Sequence, residues 1–575
     1  MDKEGRRFAR DYFWFALALI AILLGSTVRA AAAEESAPSA KKPTVEELER
    51  RIAILEKKLE AQQQEVSALL EAQRQALAQT PASPAVSPAA PPGPAPAAAP
   101  TGAPAAAPTA TAGLVAQAAS PPGAAPPGAA PQTAPGSRAV VEQQAGSATQ
   151  SNPQIFAGPG GFSFQSPDGA NQIRFHGEFD FDGRFYNDNL TPEGSRDTWL
   201  LRRARPIIEG TFANIFDFRF NPDFAGGKTV IQDAFLAARF DPAFVVTAGK
   251  FKEPFGLERL QLSPNNRFIE LGLPSDLVPN RDLGLQVSGT FTFPTGTLTY
   301  QVGYFDGVVD GTSTDANTTP DIDNNDKKDW VARLFAQPFL LTDSALKYLG
   351  AGVAVSYVNE VGTPANTLLP SYKTETQRNF FSFDGALTPA GATPAAGATI
   401  ANGERLRISP QAYYYYQRLG LLAEYVSESQ DVSRTFGTGA NALTRRARLK
   451  PDSWQAYSTF FLTDDEATFG TVKPKRPFAL DQPGWGALEF AARISQLKLD
   501  SATFLSPAGT AAQWFADPSA QAREATAWTL GLNWYLTQNV AWYLDYSKTD
   551  FDGGAPNGRD RADESAFFTR FQVAF

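Results

Sequence analysis

Residues 174–185 read RFHGEFDFDGRF, and the two interleaved halves of this stretch decide the fold. Phe175, Gly177, Phe179, Phe181, Gly183 and Phe185 take the odd positions, while Arg174, His176, Glu178, Asp180, Asp182 and Arg184 take the even ones. Successive side chains of an extended chain point to opposite faces, so this is a strand with one apolar and one ionisable face. A soluble sheet rarely carries so unbroken an ionisable row. A strand that meets lipid on one face and lines a wet lumen with the other requires it.

Outward from this stretch the period of two recurs. Strands are predicted near 197–212, 215–224, 229–240, 243–254, 282–293, 296–306, 328–339, 346–360, 403–417, 419–430, 448–463, 484–500, 523–537, 539–550 and 564–575, about sixteen with the first. Ala213-Asn214, Asp241-Pro242, Pro294-Thr295, Arg418 and Gln538 mark tight turns, and long polar loops lie at 256–281, 307–327, 361–402 and 501–522. Short and long connections alternate, as periplasmic turns and external loops do in outer-membrane barrels. The connection at 464–483 breaks the rhythm by being long where a short one is due. The final AFFTRFQVAF places Phe567, Phe571, Val573 and Phe575 on one face and resembles the terminal signal of barrels assembled in outer membranes. The expected fold class is all-β: a transmembrane antiparallel β-barrel of about 16 strands over 151–575.

Toward the amino terminus the character changes. Lys3, Arg6, Arg7 and Arg10 precede an apolar run from Tyr12 to Leu24 and small residues ending at Ala33, the pattern of a secretory signal peptide over 1–33. The run is shorter than the ~20 residues that a helix needs to cross a bilayer. Over 44–79, Val45, Leu48, Ile52, Leu55, Leu59, Val66 and Leu69 fall on steps of three and four, a heptad seam interrupted by Gln62 and Gln73. This segment is expected to be a coiled coil that self-associates. The stretch 80–150 is nearly all Ala, Pro, Gly, Ser, Thr and Gln, too poor in apolar surface to fold. As an extended Pro/Ala-rich linker it would reach on the order of 200 Å, enough to hold the coil in the periplasm.

Composition narrows the chemistry. The 575 residues include no Cys and one histidine, His176, which removes thiolate metal sites, disulfides and Cys nucleophiles. The net charge of −9 argues against nucleic acid as a partner. Gly227-Lys228-Thr229 ends like a phosphate-binding loop, but its first glycine position is Pro222 and a strand follows. Asp321, Asp323, Asn325 and Asp326 suggest a calcium loop, yet its sixth position is Asp326 where glycine is required. No catalytic residue, cofactor or metal site is expected.

DTWLLRRARP at 197–206, FDFRFNPDF at 216–224, AGKFKEPFGLE at 248–258, LVPNRDLG at 277–284 and GWGALEFAAR at 484–493 resemble the phosphate-selective porin family, porin O/P. The resemblance covers roughly 170–575 and implies a sixteen-stranded homotrimeric channel in the outer membrane, passing anions such as phosphate or polyphosphate. It does not cover the coil, which would contact the cell wall. Two other readings stand beside it: a structural tether between outer membrane and cell wall with an incidental pore, and a barrel enzyme.

A pore selects anions by lining its narrowest part with inward Lys and Arg. By alternation, Arg203 and Arg205 share the face of Glu209 and Thr211, Arg219 sits between Phe218 and Phe220, and Lys250 and Lys252 flank Phe251. Arg333, Arg405, Arg407, Arg493 and Arg570 also fall on polar faces. By analogy with porins, the third external loop folds inward, which makes Arg259, Arg267 and Arg281 the first candidates for a filter. The competing expectation is that inward carboxylates, among them Glu178, Asp180, Asp182, Asp217, Asp233, Glu253, Glu258 and Glu489, pair with these cations and leave a weakly selective lumen.

Overall fold

The computed structural model describes residues 153–187, 196–227, 229–307, 326–385, 397–437, 440, 442–507 and 513–575. The signal peptide, coil and linker expected at 1–33, 44–79 and 80–150, and the 321–325 part of the acidic loop, lie outside the described residues.

In chain order the strands are β1 (Gln154–Gly158), β2 (Gly161–Gln165), β3 (Gln172–Tyr186), β4 (Thr198–Phe212), β5 (Phe216–Asp223), β6 (Val230–Asp241) and β7 (Phe244–Lys252). They continue as β8 (Arg281–Thr292), β9 (Thr297–Phe305), β10 (Asp329–Gln337), β11 (Tyr348–Val361), β12 (Ser371–Lys373), β13 (Asn379–Ser382) and β14 (Ile400–Tyr416). The last are β15 (Leu419–Phe436), β16 (Leu443–Leu449), β17 (Asp452–Phe461), β18 (Ala487–Lys498), β19 (Ala522–Tyr535), β20 (Val540–Gly553) and β21 (Glu564–Ala574). Among the described residues nineteen strands form one antiparallel sheet, all but β12 and β13. Sixteen of them close the wall: β3 to β11, β14, β15 and β17 to β21, with β21 pairing back onto β3 from Ala566↔Tyr186 to Ala574↔Glu178. Closure leaves the wall without a bare edge, which a barrel in lipid requires. Among the described residues no helix is long and apolar enough to cross a membrane.

Each strand window read from the sequence coincides with one wall strand; the rest of the sheet was not anticipated. The hairpin of β1 and β2 extends the wall at the end of the tight turns, where β2 pairs with the start of β3. Strand β15 runs past the expected residue 430 to Phe436, pairing first with β17 and then with β16. Between β16 and β17 lies Pro451, whose missing N–H interrupts the ladder and divides one long strand in two. In the three-residue connection between β4 and β5, Ala213 (φ 51°) and Asn214 (φ 60°) both adopt the left-handed conformation that matches the strand twist.

The exposure pattern is that of a soluble protein turned inside out. On β3, Glu178, Asp180 and Asp182 are 4%, 0% and 0% exposed, whereas Phe179 and Phe181 are 48% and 43% exposed. Large exposed apolar side chains recur on every wall strand, Trp199, Leu236, Trp330, Phe490 and Trp542 among them. In water each half-exposed aromatic ring forgoes roughly 2 kcal/mol of burial, a cost that lipid removes. The interior, in turn, holds a packed core: Phe255, Leu273, Leu277 and Val278 from the connection between β7 and β8 pack with Tyr372, Phe380 and Phe381 of the β12–β13 ribbon against Val331 and Val426 of the wall.

Candidate functional site

The connection from Glu253 to Asn280 is the third on the side opposite the tight turns, and it crosses the lumen. Pro254, Pro264, Pro274 and Pro279 prevent it from extending either flanking strand, and Pro264 and Pro274 start the short 3-10 turns Ser263–Asn265 and Leu273–Asp276. Opposite walls hold it. Leu257 N donates to Glu424 Oε2 at 2.7 Å, Ile269 N to Asp545 Oδ2 at 2.6 Å, and Ser263 Oγ to Glu178 Oε2 at 2.7 Å. Glu258 accepts from Gln455 Nε2 at 2.8 Å and from Arg493 at 3.0 Å. At Gly272 the loop passes against the Gln455 side chain, whose Oε1 would have to move to admit a Cβ.

Between this loop and the wall of β3 to β8 lies a cavity of about 320 Å³. Arg184, Arg202, Arg203, Arg205, Lys252, Arg259 and Arg281 line it, with Asp223 as the lone acidic residue. Two bulges supply the density of polar groups. On β4, Asp180 faces Arg203 and Phe181 faces Leu201, so Arg202 is the extra residue and turns inward beside Arg203. On β6, Asn221 faces Asp233 and Pro222 faces Ile231, which brings Gln232 in beside Asp233.

Carboxylates behind the lining hold the guanidinium groups in place. Arg203 binds Asp180 at 2.6 Å, Arg205 binds Asp223 at 2.7 Å and Glu178 at 3.3 Å, Arg184 binds Glu270 at 2.5 Å, and Arg281 binds Asp233 at 2.8 Å. Arg202 lies 3.8 Å from Glu270. Lys252 Nζ donates to the carbonyls of Arg259 and Gln261 at 2.6 and 2.5 Å, and Arg259 donates to the carbonyl of Ser275 at 2.7 Å. Among the described residues seven cations thus meet five carboxylates; Asp180 also meets Arg570 and Asp233 also meets Arg219, which hold Asp182 and Glu209 in turn. The balance of charge around the cavity is positive, and an anion can meet several fixed donors at once.

The other sequence candidates lie apart from this cavity. Arg219 bonds Glu209 at 2.8 Å and Arg333 bonds Gln411 at 3.0 Å while covering the ring of Phe335. Arg405 and Arg407 face inward but are 2% and 1% exposed, in contact with Asp329 and Glu360 (3.2 and 3.3 Å) and with Glu428 (2.9 Å) respectively. Arg493 and Arg570 are likewise enclosed, the latter gripping Asp182 through two bonds of 2.7 Å. Lys250 does not flank Phe251 inward. It pairs across the sheet with Ala234 and Leu283, on the parity of the exposed Leu236 and Leu285, while Phe251 turns in to pack on Phe235 and Phe305. Arg184 and Arg202 complete the lining: alternation puts Arg184 on the ionisable face of 174–185 without making it a filter candidate, and does not select Arg202. The Arg202-Arg203 doublet, which no period of two can place on one face, is the signal for the bulge that strict alternation overlooks.

Arg267 sits elsewhere again and explains the long connection at the wrong end. Its guanidinium donates to the carbonyls of Asn265, Thr468 and Gly470 and lies 3.5 Å from Glu489. Gln261 donates to the carbonyl of Phe469 at 3.1 Å, and Thr471 to Asn265 at 2.9 Å. The segment after β17 therefore turns back into the lumen from the end of the tight turns, with Phe469 stacked 4.6 Å from Tyr413, and meets the third loop there. It is long because it reaches inside.

The sequence pattern of the family described as phosphate-selective porin O and P matches residues 172–575. Among curated proteins no sequence matches significantly. Similar solved structures include the outer membrane channel DcaP of Acinetobacter baumannii, with 9% identity, 72% of this chain and 99% of that chain covered, and a TM-score of 0.42. An anion-selective porin from Comamonas acidovorans gives 10%, 70%, 100% and 0.38, and OprB of Pseudomonas putida 9%, 70%, 94% and 0.39.

Proposed function

The chain belongs to the phosphate-selective porin O and P family, an outer-membrane β-barrel of the porin type, and on that premise we propose that it is a passive diffusion channel preferring anions such as phosphate or polyphosphate. The observation that carries the preference is the lining of the cavity beside the third loop, where seven basic side chains gather and, of the five carboxylates paired with them, Asp223 alone is part of the described lining. Fixed guanidinium forks replace the hydration that phosphate oxygens lose on entering a narrow passage, and no chemical step is involved. On this reading a solute arriving from the long-loop side meets Arg184, Arg202, Arg203, Arg205, Lys252, Arg259 and Arg281 together, with Asp223 among them.

Salt-gradient reversal potentials in planar bilayers test this directly. With potassium chloride, and then potassium phosphate, across the membrane, the potential should take the sign of anion permeation. A cation-selective or zero reversal potential in both salts would remove the anion reading and favour an incidental pore in a structural tether.

The proposed assembly is a homotrimer, with the 44–79 coil in the periplasm, where it would join three chains and contact the cell wall. A peptide of residues 44–79 should sediment as a three-chain species, and a monomer at micromolar concentration would end the proposal that the coil drives assembly.

A further inference from the structure

The half of the 462–486 connection that stays outside the lumen carries an apolar feature that neither the fold nor the channel explains. Leu480 is 95% exposed and Trp485 is 76% exposed. They belong to a closed excursion, not a loose strand end. Gly486 N donates to the carbonyl of Arg476 at 2.9 Å, and Phe478 N to that of Leu536 at 2.7 Å. A Cβ on Gly484 would come within 2.1 Å of the carbonyl of Pro477, so the neck closes only with glycine there.

This excursion is continuous with the lipid-facing wall. Phe478 stands 6.5 Å from Trp485 and 6.0 Å from Trp534, and Trp534 stands 6.3 Å from Trp542. Trp534 also donates through Nε1 to the carbonyl of Trp485 at 2.5 Å. Trp534 and Trp542 pair across β19 and β20 on the outward parity, with exposed Leu530 and Leu532 further along the same face. Lys473, Lys475 and Arg476 are exposed on the approach to the excursion, Lys475 in an exposed pair with Glu466 at 3.0 Å, and Asp481 is exposed within it. Apolar and indole groups beside cations suit one environment, the boundary between headgroups and acyl chains of a phospholipid leaflet. The tight turns mark this end of the barrel as periplasmic.

We propose that the 476–486 excursion docks on the periplasmic leaflet, with Leu480 and Trp485 at the acyl-chain boundary and the neighbouring cations on phospholipid headgroups. One connection then has two anchors, phospholipid outside the barrel and the third loop, through Arg267, inside it.

The chain has no Cys, so L480C gives a unique attachment site for an environment-sensitive bimane label on the full protein, reconstituted in vesicles of phosphatidylethanolamine and phosphatidylglycerol. D343C, on the exposed polar tip between β10 and β11, is the aqueous reference at the same end. Brominated acyl chains should quench the label at 480 and shift its emission to the blue, with iodide excluded, and the reverse should hold at 343. Equal access of iodide to both positions, with no quenching by brominated chains at 480, overturns docking. Heat-modifiable mobility on gels confirms that each labelled barrel is folded before comparison. Because no conductance is read, the result stands independently of ion preference.

Discussion

Replacing Arg202 by glutamate should carry the largest change in ion preference of any single lining substitution. Arg202 is the bulge residue of β4, and its side chain, 11% exposed, faces the cavity with Glu270 3.8 Å away. Arg203 and Arg205 hold Asp180 and Asp223 at 2.6 and 2.7 Å, whereas the buried Glu270 beside Arg202 keeps Arg184 at 2.5 Å when Arg202 is replaced. A unit charge about 4 Å from a permeating ion contributes on the order of 1 kcal/mol even in a water-like dielectric. R202Q, losing one charge, should lower the anion-to-cation permeability ratio about fivefold, and R202E, exchanging two, about thirtyfold. Reversal potentials at ~0.1 M salt measure this, and the difference should shrink at 1 M, where the screening length falls to about 3 Å. Identical potentials for wild type, R202Q and R202E would show that the cavity does not lie on the ion path.

The largest effect on stability is expected from R493M. Arg493 is fully enclosed and joins three partners: Glu258 at 3.0 Å, the carbonyl of Glu270 at 3.0 Å, and Glu375 at 2.8 Å. Its guanidinium also covers the ring of Phe268 at 4.3 Å. The third loop and the segment between β12 and β13 are therefore tied to β18 through one side chain. Methionine fills similar space but leaves two buried carboxylates without their cation, which costs about 3–5 kcal/mol. The wall has its own closed ladder and should survive, while the loops lose their anchorage. The expected outcome is a folded barrel with a lower melting temperature and a larger, noisier single-channel conductance. The triple variant R493M/E258Q/E375Q, which removes the stranded charges, should recover part of the lost stability. Failure to recover any would point to packing on Phe268, and not charge, as the role of Arg493.

The geometry bears on the competing expectations about the lumen through the ion pairs it forms. Inward carboxylates do pair with inward cations, as the weakly selective reading supposed, and Arg405, Arg407, Arg493 and Arg570 are held in that way. Around the cavity the same pairing sets seven basic side chains against five carboxylates among the described residues. Carboxylates there orient the guanidinium forks and neutralise part of their charge.

The barrel was legible in the amino-acid order because the information that specifies it is local. A strand sorts its side chains between two faces by parity alone, so the Phe/Gly and charged halves of 174–185 already separate lipid from lumen, and the turns count the strands. Which cations share one cavity is not local. Arg202 turns inward only because the register between β3 and β4 slips by one residue, and Lys250 turns outward because Phe251 takes the inner position against Phe235 and Phe305. Arg570 meets Asp182, and Arg493 meets Glu258, across hundreds of residues of chain. The inward course of the 462–486 connection likewise depends on acceptors that meet Arg267 only after closure. Parity is set residue by residue, whereas pairing partners and register shifts are chosen by the whole ring of strands closing at once.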